Sequence, residues 1–161
     1  MQLYLMQHGL ALTKQEDLEQ PLSPAGIDQV RESAAGIRQL RLSFDLIAAS
    51  PKRRAQQTAA LVAEAVRYPY SDILTTEALL PHADPEDVLT LLESEADDSR
   101  ILLVGHLPLL EALAPRLLGG GHVAFEQAGL CLLERTDATA PTRLRYLLTA
   151  GHLSRFSAKP A

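Results

Sequence analysis

Residues 1–11 read MQLYLMQHGLA, and their reading decides how the rest of the chain is organised. Leu3, Tyr4, Leu5 and Met6 form a short apolar run that stops abruptly at Gln7-His8-Gly9. A run of that length fits a buried strand covered on both faces. Gly9 then offers the chain a backbone conformation that other residues resist. In open α/β sheets ligands collect beyond the carboxyl ends of the strands, which is where His8 stands. Alone, the tripeptide reads more readily as a turn or cap in which the histidine is only structural.

The chain downstream alternates between helical and strand periods. Residues 12–20 are polar and mixed in charge, a loop over the end of the first strand. Ser23 as N-cap and Pro24 at the first helical position open a helix that the Ile27, Val30, Ala34 and Ile37 stripe carries to about Gln39. Gln29, Arg31, Glu32 and Arg38 fall on its solvated face. Residues 44–49 (FDLIAA) read as a second strand. A helix over 51–67 follows, marked by Ala55, Ala59, Val62 and Val66, with Ser50 as its cap. Lys52, Arg53 and Arg54 thus gather at its first turn. A helix N-terminus repels cations and attracts anions, so this cluster either holds an anion or is a plain solvated turn.

Residues 72–76 predict a short strand, and Asp84-Pro85 opens a helix with Asp87 at its third position and Val88, Leu91 and Leu92 inward. The acidic run 93–98 is a solvated loop. Residues 100–104 form the second clear strand that runs into glycine and histidine, here Gly105-His106. A helix continues to about Leu118, with Pro115 expected to kink it or weaken its last turn. Gly119-Gly120-Gly121 stops it; the lysine and hydroxyl residue of a phosphate-binding P-loop are missing. Residues 128–134 and 143–149 predict two strands joined through 135–142 as a hairpin. From Ser154 to the closing Lys-Pro-Ala periodicity is weak and no element is predicted. The alternation predicts one domain over 1–161: a three-layer α/β/α sandwich with a mainly parallel central sheet and an antiparallel pair near one edge.

Composition narrows the function classes. The chain has 161 residues, 47% hydrophobic and 22% charged, an ordinary globular balance. Its net charge of -5 argues against nucleic-acid binding. No run approaches the roughly 18 apolar residues of a membrane span, and no basic leader precedes the first strand. The lone Cys131 excludes an internal disulfide framework and reads as a buried, inert thiol. The expected setting is cytoplasmic.

Strand ends remote in sequence can converge at one sheet edge, and here they would bring together His8, His106 and Arg54. Neutral imidazole is a capable nucleophile toward phosphorus, and guanidinium matches the oxygens of a phosphoryl group. A second imidazole can stabilise charge in the transition state. The competing reading is a metal site. His8, His82, His106, His122 and His152 are widely spaced, with no HExxH or CxxC unit, so no metal and no other cofactor is expected. His82, His122 and His152 read as surface or packing residues, although His82, in EALLPHAD, is within reach of the same rim.

Four segments, correctly ordered and spaced, then resemble the histidine phosphatase superfamily (phosphoglycerate mutase-like fold), in its short SixA-type phosphohistidine phosphatase branch. QHG (7–9) stands where the family has RHG, and PLSPAG (21–26) resembles PLT-x-x-G. SPKRRAQQTA (50–59) resembles SP-x-x-R-A-x-Q-T-A, and VGHLP (104–108) resembles V-x-H-x-P. The resemblance implies a metal-independent phosphatase in which His8 becomes phosphorylated, Arg54 clamps the phosphoryl group and His106 supports the transition state. Glu77 is the nearest candidate for a proton donor. Gln7, Gly9, Gln20, Ser50 and Arg53 are the implied phosphate-binding or pocket residues. The implied partner is a phosphohistidine-containing protein or a small phosphorylated substrate, met by a monomer or weak dimer.

Two departures matter. Gln7 and Gln20 stand where relatives carry arginine, and an amide supplies neither charge nor a cationic fork. Losing one charge-assisted bond costs about 1.5–3 kcal/mol, about ten- to hundredfold in rate, unless Lys52 or Arg53 compensates. A weakened or inactive phosphate- or phosphoprotein-binding module and a small-molecule phosphomonoesterase therefore remain as alternatives.

Overall fold

In the computed structural model, which describes residues 1–137 and 140–157, the opening stretch becomes strand β1, Gln2–Gln7. Its side chains divide by parity, as a pleated strand requires. Tyr4 and Met6 enter one core cluster, while Leu3 and Leu5 enter another on the opposite face of the sheet. Full burial of such a side chain contributes roughly 1.5–3 kcal/mol, so a strand covered on both faces is an anchor for the whole sheet.

The sheet has six strands in the order β3-β2-β4-β1-β5-β6. Strands β2 (Leu46–Ala49), β3 (Leu74–Thr75) and β4 (Arg100–Gly105) run parallel to β1, while β5 (Leu130–Glu134) pairs antiparallel with β1 and with the edge strand β6 (Arg143–Leu148). The expected parallel sheet with an antiparallel pair at one edge is what forms. Arg143 and Arg145 on β6 place charge along the open edge, which discourages pairing with another chain.

Helices α1 (Pro24–Gln39), α2 (Arg53–Val66) and α5 (Ala150–Ser157) cover the face that holds Tyr4 and Met6; α3 (Pro85–Glu93) and α4 (Leu109–Leu118) cover the other. The layers are those of the predicted sandwich. Ser23 and Asp84 are N-caps as expected, accepting from the amides of Gly26 and Glu86. The fourth helix runs through Pro115 to Leu118 and stops at Gly119, whose φ of 76° is the left-handed conformation glycine adopts without strain. Cys131 is buried, and burial pushes its thiol up to about 12.

Several expectations need correction. A helix, α5, begins just after the last predicted strand and runs into the weakly periodic tail; it packs on α1 and buries a single side chain, Leu153. One apolar anchor gives no periodic signal, and tertiary contact rather than propensity makes such a short helix. Ser50 is not the cap of α2: Lys52 occupies that position, without a side-chain cap bond. The third strand is shorter than expected because 3₁₀ turns at Tyr70–Asp72 and Glu77–Leu79 flank it. Part of the 135–142 connection and the closing Lys-Pro-Ala lie outside the described residues. No helix among the described residues is long and apolar enough to cross a membrane.

Candidate active site

The carboxyl ends of β2, β4 and β1 lie side by side, because these three strands are parallel neighbours. The register pairs Met6 with Val104 and Gln7 with Gly105, so the next residues along, His8 and His106, come abreast. Both share the parity of side chains that face α1 and α2. Their ring centroids are 4.8 Å apart, tilted by 58°. His8 is 9% exposed and His106 1% exposed.

The tautomer of His8 follows from its partners. Its Nδ1 lies 2.7 Å from the Gly9 carbonyl, which can only accept, so Nδ1 carries the proton. Its Nε2 receives the Nε–H of Arg54 at 3.1 Å and therefore presents a lone pair. Desolvation lowers the His8 pKa from 6.5 to about 4, opposed by the Gly9 hydrogen bond and assisted by the Arg54 charge. At neutral pH this is an uncharged imidazole with its lone pair held against a guanidinium. Arg54, in the first turn of α2, is half-buried, and burial lowers its own pKa. Its terminal nitrogens make no hydrogen bond among the described residues.

His106 is held differently. Its Nε2 lies 2.9 Å from the buried Ser50 Oγ, and its Nδ1 has no hydrogen-bond partner among the described residues. Desolvation, then the charges around His8, Arg54 and Lys52, lower its pKa to about 3. Both rings are thus neutral together, which a cationic neighbourhood favours.

Short side-chain latches hold the His8 loop. Thr58 accepts from the Gly9 amide at 3.1 Å and donates to the Arg54 carbonyl at 2.8 Å, joining β1 to α2. Gln57 accepts from the Leu22 amide and Gln29 from the Leu10 amide. Gln29 is therefore a latch rather than part of a plain solvated face. Gly9 has no left-handed φ; it is required because a Cβ there would meet Val30 Cγ2 at 2.4 Å. Gly26 faces the Leu10 carbonyl so closely that a Cβ would lie 1.9 Å from its oxygen. Gly26→Ala is expected to push α1 off the loop, costing about 1–3 kcal/mol in urea unfolding.

A cleft of about 860 Å³ opens beside Arg54. Lys14, Gln20 and Lys52 line it together with Glu77, His82 and Asp87. Gln20 and Glu77, singled out from the sequence, both line this cleft. His82 also lines the cleft, at the rim the sequence put within its reach, whereas His122 and His152 do not. Arg53 is exposed and outside it; Lys52 and Lys14 bring the positive charge instead. Helical geometry separates Arg53 from Arg54 by about 100° around the axis, so only one of the two can face inward. Gln7, like His8 and His106, is not among the residues that line the cleft; of the three side chains expected to carry the chemistry, Arg54 alone lines it.

A smaller apolar pocket of about 250 Å³ lies between Leu3, Leu89, Leu92, Leu117 and Leu133 and carries no histidine. His8 and His106 gather at the strand ends, and Arg54, bonded to His8, links them to the larger cleft. No group of three or more His, Cys, Asp or Glu side chains among the described residues is arranged to hold a metal ion.

Comparison with known proteins points the same way. The profile of the histidine phosphatase superfamily (branch 1) matches residues 3–79. An uncharacterized protein of Picosynechococcus sp. is 33% identical over 138 residues, 81% of this chain and 82% of its own. Phosphohistidine phosphatase SixA of Escherichia coli (strain K12) is 30% identical over 123 residues, covering 74% and 76%. The structure of the protein histidine phosphatase SixA complexed with tungstate superposes with a TM-score of 0.85 at 25% identity, over 95% of this chain and 99% of that one.

Proposed function

The chain belongs to the histidine phosphatase superfamily, and from that premise we propose that it is a metal-independent phosphohistidine phosphatase acting through His8. One observation carries the proposal: a buried neutral imidazole whose Nδ1–H is tied to Gly9 and whose Nε2 lone pair lies against Arg54. In the first step Nε2 of His8 attacks phosphorus, forming an N–P bond as the substrate's own P–N bond breaks. The departing imidazole takes up a proton. Arg54 exchanges its hydrogen bond to Nε2 for bonds to the phosphoryl oxygens, while the Nδ1–H to Gly9 bond stabilises the positive ring of phospho-His8. His106 donates to a nonbridging oxygen. Water then attacks phosphorus, its proton passing to the Glu77 carboxylate that protonated the leaving imidazole, the N–P bond breaks, and inorganic phosphate leaves with the His8 lone pair restored.

Glu77 is the proton donor to the leaving group in this reading; it lines the cleft, and an imidazole leaving group needs less acid assistance than an alkoxide. The cleft is open enough for a histidine on the surface of a protein partner. The tungstate in the SixA structure, a tetrahedral oxyanion, supports a site suited to phosphoryl transfer. Phosphate release from a phosphohistidine-bearing protein and from p-nitrophenyl phosphate, compared as kcat/KM, tests the reading. We expect the protein to be preferred; preference for the ester favours a small-molecule phosphomonoesterase, and binding without turnover favours a weakened module.

Gln7 limits this site if the charge on Lys14 and Lys52 does not substitute for the family arginine. In the same assay Gln7→Arg is expected to raise kcat/KM by about tenfold, the value of one charge-assisted hydrogen bond.

A further inference from the structure

We propose that Ser50 is a positioning residue that holds His106 in its Nδ1–H tautomer, so that Nδ1–H is the donor presented to the phosphoryl group. The proposal rests on the phosphatase reading for its consequence, and on hydrogen-bond counting for its substance. Among the described residues Ser50 Oγ has two hydrogen-bond partners: the Lys52 amide at 3.3 Å, which can only donate to it, and His106 Nε2 at 2.9 Å. If the serine hydroxyl donates to Nε2, it accepts from Lys52 and every Ser50 capacity that matters is met. Of the two side chains, only His106 Nδ1–H is then left without a partner among the described residues.

In the opposite tautomer Nε2–H donates to Ser50, whose own O–H then has no acceptor, and the Nδ1 lone pair is stranded as well. That arrangement leaves two buried groups unpaired instead of one, in a residue pair that is 0% and 1% exposed. An unmade buried hydrogen bond costs about 1–3 kcal/mol, which favours the Nδ1–H form. A free histidine side chain prefers Nε2–H, so the protein is holding the less populated form.

The consequence lies at the phosphoryl group. Nε2 is occupied by Ser50, so Nδ1 is the nitrogen of His106 left to meet an oxygen. As N–H it attracts a phosphoryl oxygen; as a lone pair it repels one. Because the ring is neutral and has a single proton, the position of that proton decides the sign of the interaction.

The test reads the tautomer and the rate separately. Long-range ¹⁵N–¹H correlation on the ¹⁵N-histidine-labelled protein at pH 7 reports which ring nitrogen of His106 is protonated, with His106→Gln giving the assignment. Wild type is expected to show Nδ1–H and a pyridine-like Nε2; Ser50→Ala is expected to shift the ring toward Nε2–H. With the phosphohistidine protein as substrate, kcat for Ser50→Ala should fall about ten- to hundredfold, by analogy with loss of an oxyanion donor. KM should change less, and Ser50→Thr, which keeps the hydroxyl, should restore both tautomer and rate. Finding Nε2–H in wild type overturns the proposal, as does an unchanged kcat in a folded Ser50→Ala. Absence of turnover in wild type counts against the phosphatase reading instead, and the tautomer measurement still decides the role of Ser50.

Discussion

Replacing His8 by alanine is expected to reduce phosphohistidine hydrolysis on the order of 10³–10⁶-fold, as removal of a covalent nucleophile does. Acid-labile, base-stable label from a phosphoryl donor, trapped on wild type by rapid quenching, should be absent from the variant. A fully active His8→Ala protein would sink the mechanism. Lost activity must be distinguished from lost structure, and the pKa of His8 supplies the control. The folded-state value of about 4 lies below the ordinary 6.5, so between those pH values the unfolded chain binds more protons. Stability therefore rises with pH across that window and is lost as pH falls through it. The His8 contribution to that slope is about 1.4 kcal/mol per pH unit at most, and His8→Ala should flatten the urea-midpoint profile there. An inactive variant with a normal transition at pH 7 and a flatter acid limb is a folded protein without its nucleophile.

Arg54→Ala is the second large effect. Arg54 caps the His8 lone pair before reaction and is the charged fork closest to it. Its loss is expected to lower kcat/KM by about 10²–10³-fold, with Arg54→Lys recovering part of the charge but not the paired geometry. The pH profile separates this from simple misfolding. The Arg54 charge helps hold His8 below its ordinary pKa, after desolvation. Removing the charge raises that pKa, so the acid limb of kcat/KM, set by protonation of His8, moves to higher pH. An unchanged limb together with unchanged kcat/KM would contradict the clamp.

These expectations trace back to residues that were unequally legible. His8, His106 and Arg54 each had an ordinary structural reading alone; they could be picked out because the ordered segments around them resemble one family. Thr58 and Gln57 lie in one of the same segments and Gln29 just beyond another, but none gave an independent signal. A threonine or glutamine on a helix has an ordinary solvated reading, and only the loop crossing above it reveals a latch. Arg53 and Lys52 are neighbours of Arg54 in sequence; which one enters the cleft depends on the rotation of the helix. Gly9 was read as a conformational device, yet it is a matter of space, because Val30 comes from a helix more than twenty residues away.

The first eleven residues illustrate the division. Short apolar runs, cap residues and turn chemistry act locally, so the alternation of strand and helix, and hence the layered α/β class, was determined by sequence alone. A polar QHG after a buried strand likewise marked where a ligand would meet the sheet. Strand order and register are nonlocal: they depend on which apolar faces bury best together, and no window of sequence contains that comparison. The tertiary structure alone decided that β4 lies between β1 and β2. That placement sets the His106 ring between the His8 ring, 4.8 Å away, and the Ser50 hydroxyl, 2.9 Å from its Nε2.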